Sequence, residues 1–173
     1  MKFVSVLIPT YKSDETLLRA IDSVLNQTYP NIEAVVVDDN DPDSSYRVKT
    51  TALMKKYADD KRVKYYCHEK NKNGAAARNT AFRNSIGEYI AFLDDDDYFL
   101  PEKIEKQVTF LEQHPEFGGC YCWRRQFGTD ICGEFNGDLS YQLLSLEFTP
   151  YTTCVMIRRE CYEKLNGFDE AYY

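Results

Sequence analysis

The sequence predicts an α/β domain whose central sheet is mostly parallel and flanked by helices. Three observations carry this expectation. Short apolar runs alternate with amphipathic segments four times over the first two thirds of the chain, the pattern of successive strand–helix units. The length of 173 residues suits one domain with a sizeable core. No internal repeat, low-complexity tract or linker interrupts it.

The elements follow in order. Val4-Ser5-Val6-Leu7-Ile8 reads as a buried strand ended by Pro9. Asp14 suits the cap of a helix in which Leu17, Leu18, Ile21, Val24 and Leu25 recur at helical spacing, closed by Tyr29-Pro30. Ile32 to Val37 is the second strand. A polar loop, Asp38-Asp39-Asn40-Asp41-Pro42-Asp43, leads to a helix reaching about Ala58. Val63 to Cys67 is the third strand, and Asn71-Lys72-Asn73-Gly74 a turn signal. Ala75 to Ser85 suits a helix whose alanines allow close packing on the sheet. Tyr89 to Leu93 is the fourth strand and runs into Asp94-Asp95-Asp96-Asp97. Pro101 fits the first position of the next helix, which turns Ile104, Val108 and Leu111 inward and breaks near His114-Pro115. Gly119 to Arg124 and Thr152 to Arg158 are further strand candidates. A short helix from Arg159 to Leu165 and a turn at Gly167-Phe168-Asp169-Glu170 complete the pattern, while residues 125 to 150 give no clean period.

Composition narrows the function. The net charge of −7 argues against a nucleic-acid partner, which needs a basic face. An anionic ligand stays open, because a divalent metal neutralises a phosphate locally. No apolar run approaches the roughly 18 residues of a membrane span. Met1 to Ile8 lacks the cleavage site and long apolar core of a signal peptide. The six cysteines, Cys67, Cys120, Cys122, Cys132, Cys154 and Cys161, show no pair of zinc-type motifs and read as reduced thiols in the cytosol. Cys120 and Cys122 would point to one face of a strand.

The residues with chemistry gather where strands end. Four carboxylates directly after a buried strand repel one another unless a cation or hydrogen-bond donors compensate. Mg²⁺ or Mn²⁺ takes hard oxygen ligands, often one or two carboxylates plus substrate phosphates. In an extended stretch Asp94 and Asp96 would share a direction and Asp95 would oppose them; the alternative is a solvated acidic turn. Asp38-Asp39 and Pro9-Thr10-Tyr11 leave their strands at the same edge, where open α/β sheets bind ligands. Either Asp could accept hydrogen bonds from a base or ribose, and Tyr11 could stack on a base. Arg78, on the first turn of its helix, could reach a phosphate or pair with the acidic loops. His68 and His114 read as surface or loop residues.

These segments resemble the family 2 inverting glycosyltransferases of the GT-A fold. The resemblance lies in Val4 to Tyr11, Ser23 to Pro30, Val37-Asp38-Asp39, Asn73-Gly74-Ala75-Ala76-Ala77-Arg78-Asn79, Gly87 to Asp97 and Gly167-Phe168-Asp169-Glu170, in that order. It implies that Pro9, Thr10, Tyr11, Asp38, Asp39, Arg78, Asp94 and Asp95 line a nucleotide site, with Asp39 on the base. It implies that Asp96 and Asp94 bind Mn²⁺ or Mg²⁺, with Asp96 the direct ligand. The implied donor is a nucleotide-diphosphate sugar, UDP-linked, and the acceptor a sugar or lipid-linked glycan in bacterial surface polysaccharide synthesis.

The resemblance also implies one GT-A domain over 1–173, incomplete at its C-terminus. Residues 1–115 would be the nucleotide-binding half and 116–173 the start of the acceptor half. The general base is expected beyond Tyr173, because no acidic pair follows Glu170. The implied location is cytoplasmic, with peripheral association at the inner face of the plasma membrane through that further region left open. Two other classes compete. One is a catalytically inactive nucleotide-sugar or protein-binding module. The other is a sugar nucleotidyltransferase, disfavoured because Thr10-Tyr11-Lys12-Ser13-Asp14 contains no glycine.

Overall fold

The computed structural model describes residues 1–13, 15–131, 135–145 and 150–171. Its elements in order are β1 (Val4–Thr10), α1 (Thr16–Leu25), β2 (Ile32–Asp38), α2 (Ser45–Met54), β3 (Val63–Cys67), α3 (Gly74–Arg83), β4 (Tyr89–Phe92) and α4 (Lys103–Gln113). There follow β5 (Gly119–Tyr121), β6 (Arg124–Gln126), β7 (Thr129–Ile131), α5 (Ser140–Leu144), β8 (Val155–Arg158) and α6 (Arg159–Lys164). Six strands form one sheet in the order β3-β2-β1-β4-β8-β5. The four predicted strands are its parallel part, and β8 and β5 extend it antiparallel. β6 and β7 pair separately as a hairpin.

The sheet is covered on both faces, so its central strands are apolar almost throughout instead of alternating. Successive side chains still point to opposite sides. Val4, Val6 and Ile8 pack with α1 (Leu17, Ala20, Ile21, Val24) and α4 (Ile104, Val108, Leu111). Leu7, Val35, Val37 and Phe92 pack with Ala77 and Ala81 of α3 and Tyr162 of α6. Each fully buried aliphatic side chain contributes roughly 1.5–3 kcal/mol, and a truncation such as Ile21→Ala would cost about 2–5 kcal/mol.

One polar residue interrupts this core. Glu33, on β2, is nearly inaccessible. Its carboxylate accepts from the Ser5 hydroxyl at 2.6 Å and the Ile86 N–H at 2.9 Å, and pairs with Lys64 at 2.8 Å. Ser5 Oγ in turn accepts from Gly87 N at 2.8 Å. β1, β2, β3 and the approach to β4 are thereby tied at one point.

Several expectations change. Gly119 to Arg124 is not one strand: β5 stops at Tyr121, and Arg124 starts the hairpin. β8 begins at Val155, after a 3₁₀ turn over Thr152–Cys154. α4 begins at Lys103, two residues after Pro101, because Leu100 O accepts from Lys103 N in a turn and Pro101 O is taken by Thr28 N. The expected cap Asp14 lies outside the described residues; α1 starts at Thr16 with no side-chain cap. His114 is half-buried, and His68, though in a loop, is buried at 6% exposure.

Candidate functional site

The carboxyl ends of β1, β2 and β4 and the first turn of α3 enclose a cleft of ≈ 380 Å³, a volume suited to a small ligand. Pro9, Thr10 and Tyr11 line it from β1, Asp39 from β2, and Asp94, Asp95 and Asp96 from the loop after β4. Asn71, Asn73, Gly74, Ala77 and Arg78 close the side formed by α3. This edge is where a parallel sheet presents loops and helix N-termini to a ligand. Thr10 Oγ1 is buried and meets no partner at hydrogen-bonding geometry. A buried hydroxyl left so is costly, and a ligand would satisfy it.

Asp38 and Asp39 diverge. Asp38 does not line the cleft, which corrects its expected place on a nucleotide. Its carboxylate, fully buried, accepts from Tyr65 Oη at 2.7 Å and from Asn40 N and Nδ2 at 2.9 and 2.8 Å, and pairs with Arg47 Nε at 3.0 Å. Neighbouring residues at a strand end point to opposite faces, so only Asp39 turns inward. Asp39 Oδ1 accepts from His68 Nδ1 at 2.6 Å and Lys72 N at 2.9 Å. Its Oδ2 accepts from Asn73 N at 2.9 Å and Asn71 Nδ2 at 3.0 Å. His68 Nε2 meets Thr80 Oγ1 at 2.8 Å, so the ring bridges Asp39 to α3.

On the opposite wall Arg78 pairs with Asp94 through Nη2, while its Nε is buried without a partner. Gly74 leaves room for this guanidinium: a Cβ there would lie 3.0 Å from Arg78 Nη1. Asp95 turns back toward β1, its Oδ2 accepting from Tyr11 N at 3.3 Å. Burial raises the Asp95 pKa, opposed in part by the nearby Thr10 and Ser13 hydroxyls and the Tyr11 amide; the Thr10 contact is too poor in geometry to satisfy its hydroxyl fully. Thr153 Oγ1 donates to Asp97 Oδ2 at 2.9 Å and lies 3.4 Å from Asp94 Oδ2. The exposed Asp96 carboxylate has no hydrogen bond or ion pair among the described residues.

Among the described residues no group of three or more His, Cys, Asp or Glu converges as a ready metal site. The donor set still fits a divalent cation of the Mg²⁺ or Mn²⁺ type. Such ions need only one or two carboxylates when phosphate oxygens complete the shell, and Asp96 offers uncommitted hard oxygens at the rim. Asp94 could join it once Arg78 shifts toward an anion.

α3 also reaches the other side of the cleft. Asn79, next to Arg78, accepts from Tyr162 Oη and Phe168 N and donates to Phe168 O and Glu170 Oε1. Gly167, at φ +76°, lies so close that a Cβ would collide with Asn79 Oδ1. Asn73 adopts φ +84° and ψ 167°, a conformation rare for any residue but glycine, while capping α3 and donating to Glu170 O at 2.9 Å. The sequence reading missed His68, Asn71 and Thr153 as parts of the site. Only Asn71 carried a signal, as part of a turn beside the cleft.

The cleft lies at the edge where an open α/β sheet binds ligands, and comparison with known proteins gives the family. The model of Glycosyl transferase family 2 matches residues 5–165; the chain belongs to this family. It is 47% identical over 111 residues to an uncharacterized glycosyltransferase of Rickettsia conorii, covering 64% of this chain and 17% of that protein. It is 39% identical over 108 residues to the Escherichia coli UDP-Glc:alpha-D-GlcNAc-diphosphoundecaprenol beta-1,3-glucosyltransferase WfgD, covering 62% of this chain and 40% of that protein. The matched segment thus spans less than half of either relative. Among solved structures, S. aureus TarS 1-349 in complex with UDP-GlcNAc superposes with a TM-score of 0.78 at 23% identity, over 98% of this chain and 49% of that one. The mannosyltransferase PcManGT from Pyrobaculum calidifontis, in complex with GDP-Man and Mn²⁺, gives 0.75 at 21% identity, over 98% and 48%. The fold is therefore GT-A. Among the described residues no helix is long and apolar enough to cross a membrane.

Proposed function

We propose that this chain holds the donor of an inverting glycosyl transfer, a UDP-sugar, for synthesis of a bacterial surface glycan. The observation that carries the reading is the set of groups gathered in one cleft. Tyr11 offers an exposed ring for a base, beside the wall that Asp39 holds. The buried Thr10 hydroxyl faces the same space, and Arg78 and the open Asp96 suit a diphosphate and its cation. A relative acting from UDP-Glc and a neighbour of the same fold holding UDP-GlcNAc support it, and another neighbour of that fold holds Mn²⁺.

In this reading Asp96 and Asp94 hold Mn²⁺ or Mg²⁺, which supplies positive charge to the leaving diphosphate. Arg78 turns from Asp94 to a phosphate, Thr10 bonds the nucleoside, and Tyr11 stacks on the base. An acceptor hydroxyl attacks the anomeric carbon from the face opposite the diphosphate, and a carboxylate accepts its proton. Glu170 is a poor choice for that base, since Asn79 already donates to its carboxylate at 2.9 Å. The test is calorimetric titration with UDP, GDP and CDP, with and without Mn²⁺. The expected outcome is UDP binding that strengthens at least tenfold with Mn²⁺. No nucleotide binding under either condition would overturn the proposal.

A further inference from the structure

Behind the acidic loop after β4, three cysteines act on a buried lysine. Lys103, at the start of α4, has its Nζ buried with no hydrogen-bond partner among the described residues, 3.8 Å from the centroid of the Phe99 ring. An ammonium taken out of water is costly unless an anion or donor–acceptor network compensates. Burial lowers the Lys103 pKa to about 8, and the charges of Cys122, Cys154 and Cys120 act to raise it. A thiolate on one of these cysteines would supply Lys103 with a counter-charge.

The backbone puts two of these thiols face to face. Tyr121 of β5 pairs with Val155 of β8, and Cys122 N donates to Cys154 O at 3.1 Å. Cys122 and Cys154 are thus directly opposed on antiparallel segments, where Cα atoms lie about 4.5–5.5 Å apart. That spacing falls inside the range a disulfide bridges without backbone movement. Cys122 is half-buried and Cys154 buried, so a reagent meets Cys122 first. Cys120, two residues earlier, directs its thiol at Gln107 O.

We propose that Cys122 and Cys154 form a modification site, a reactive dithiol with Lys103 as its buried counter-cation, which hydrogen peroxide closes to a disulfide. The Cys122 thiolate attacks one oxygen of hydrogen peroxide, the O–O bond breaks, and the departing hydroxide takes up the proton that Cys122 shed on ionising and leaves as water. Cys122 is left as a sulfenic acid. The Cys154 sulfur then attacks the Cys122 sulfur, and its proton departs with the displaced hydroxide as a second water. Two thiols are oxidised and one peroxide is reduced to two waters. The pair adjoins Thr153, whose hydroxyl holds Asp97, so the modification lies next to the acidic wall of the cleft.

The Cys154 thiol, aided by the charge of Lys103, holds the Cys122 pKa below the ordinary thiol value, while Cys154 is raised. Exposed Cys67 serves as a comparator in the same chain. The experiment is iodoacetamide labelling of the native protein across pH 5 to 9, read at each cysteine by mass spectrometry, followed by peroxide treatment and peptide mapping. The Cys122 rate should level off at a pH below the ordinary thiol value of about 8.5. Lys103→Met should move the Cys122 midpoint upward. Peroxide should join the Cys122 and Cys154 peptides. In Cys154→Ser, whose replacement is nearly isosteric, Cys122 should remain as a sulfenic acid trapped by dimedone. A Cys122 profile that follows Cys67, a cross-link to Cys120, or no dimedone adduct in Cys154→Ser would each overturn the proposal.

Discussion

Two acidic clusters stand at the same edge of the sheet, after β2 and after β4, and they are built in opposite ways. Asp38 and Asp39 are closed. A carboxylate offers about four acceptor positions, and Asp39 fills all four with His68, Asn71 and two backbone amides. Asp94 to Asp97 is open: the Asp96 carboxylate engages no donor among the described residues, and Asp94 is shared between Arg78 and Thr153. The same residue type at equivalent positions thus makes a fixed wall in one place and an uncompensated charge in the other. The supply of donors decides which. The closed cluster sets the shape of the cleft, and the open one leaves work for a ligand.

The most disruptive way to probe this contrast is Asp39→Ala. It strands the buried His68 N–H and two loop amides, and the loss should be about 3–5 kcal/mol in chemical denaturation. A loss under about 1 kcal/mol would show that the 68–73 loop is held by other means. Asp96→Ala should behave in the reverse way. Stability should change by no more than about 0.5 kcal/mol, while Mn²⁺-dependent UDP affinity falls at least tenfold, about 1.4 kcal/mol. Unchanged affinity in calorimetry would remove Asp96 from the site.

The smallest effect belongs to Asp95, which sits between the two designs. Burial raises its pKa, so the folded state favours the protonated carboxyl. That contribution is fully present below the unfolded value, about 3.9, and is lost as pH rises through the higher folded value. The parent should therefore lose a small increment of stability between about pH 4 and neutrality that Asp95→Asn keeps. Denaturation midpoints at the two pH values check this, and an equal drop in both proteins would refute it.

The sequence made the parallel sheet legible because its strands are unbroken apolar runs, each followed by a change of composition. It also marked the edge of the sheet where the acidic residues collect. It could not separate Asp38 from Asp39. The two are adjacent, and what assigns them is the position of Tyr65, Arg47 and His68, residues distant in sequence. His68 was read as a surface residue for the same reason: both of its partners, Asp39 and Thr80, lie more than ten positions away. The run Gly119 to Arg124 reads as one strand because nothing in its composition marks where β5 leaves the sheet and the hairpin begins.

The knot at Glu33 bears on how the chain finds its alignment. Val35-Val36-Val37 would pair acceptably with β1 at several offsets, since each offset still buries valines. A slip of one residue, however, would carry the Glu33 carboxylate to the opposite face, away from Ser5, Lys64 and the Ile86 amide. An unpaired carboxylate buried there costs several kcal/mol, more than any one mispaired valine recovers. A one-residue slip is therefore penalised once the helices cover both faces, and the most featureless strand of the sheet takes its register from the acid near its start.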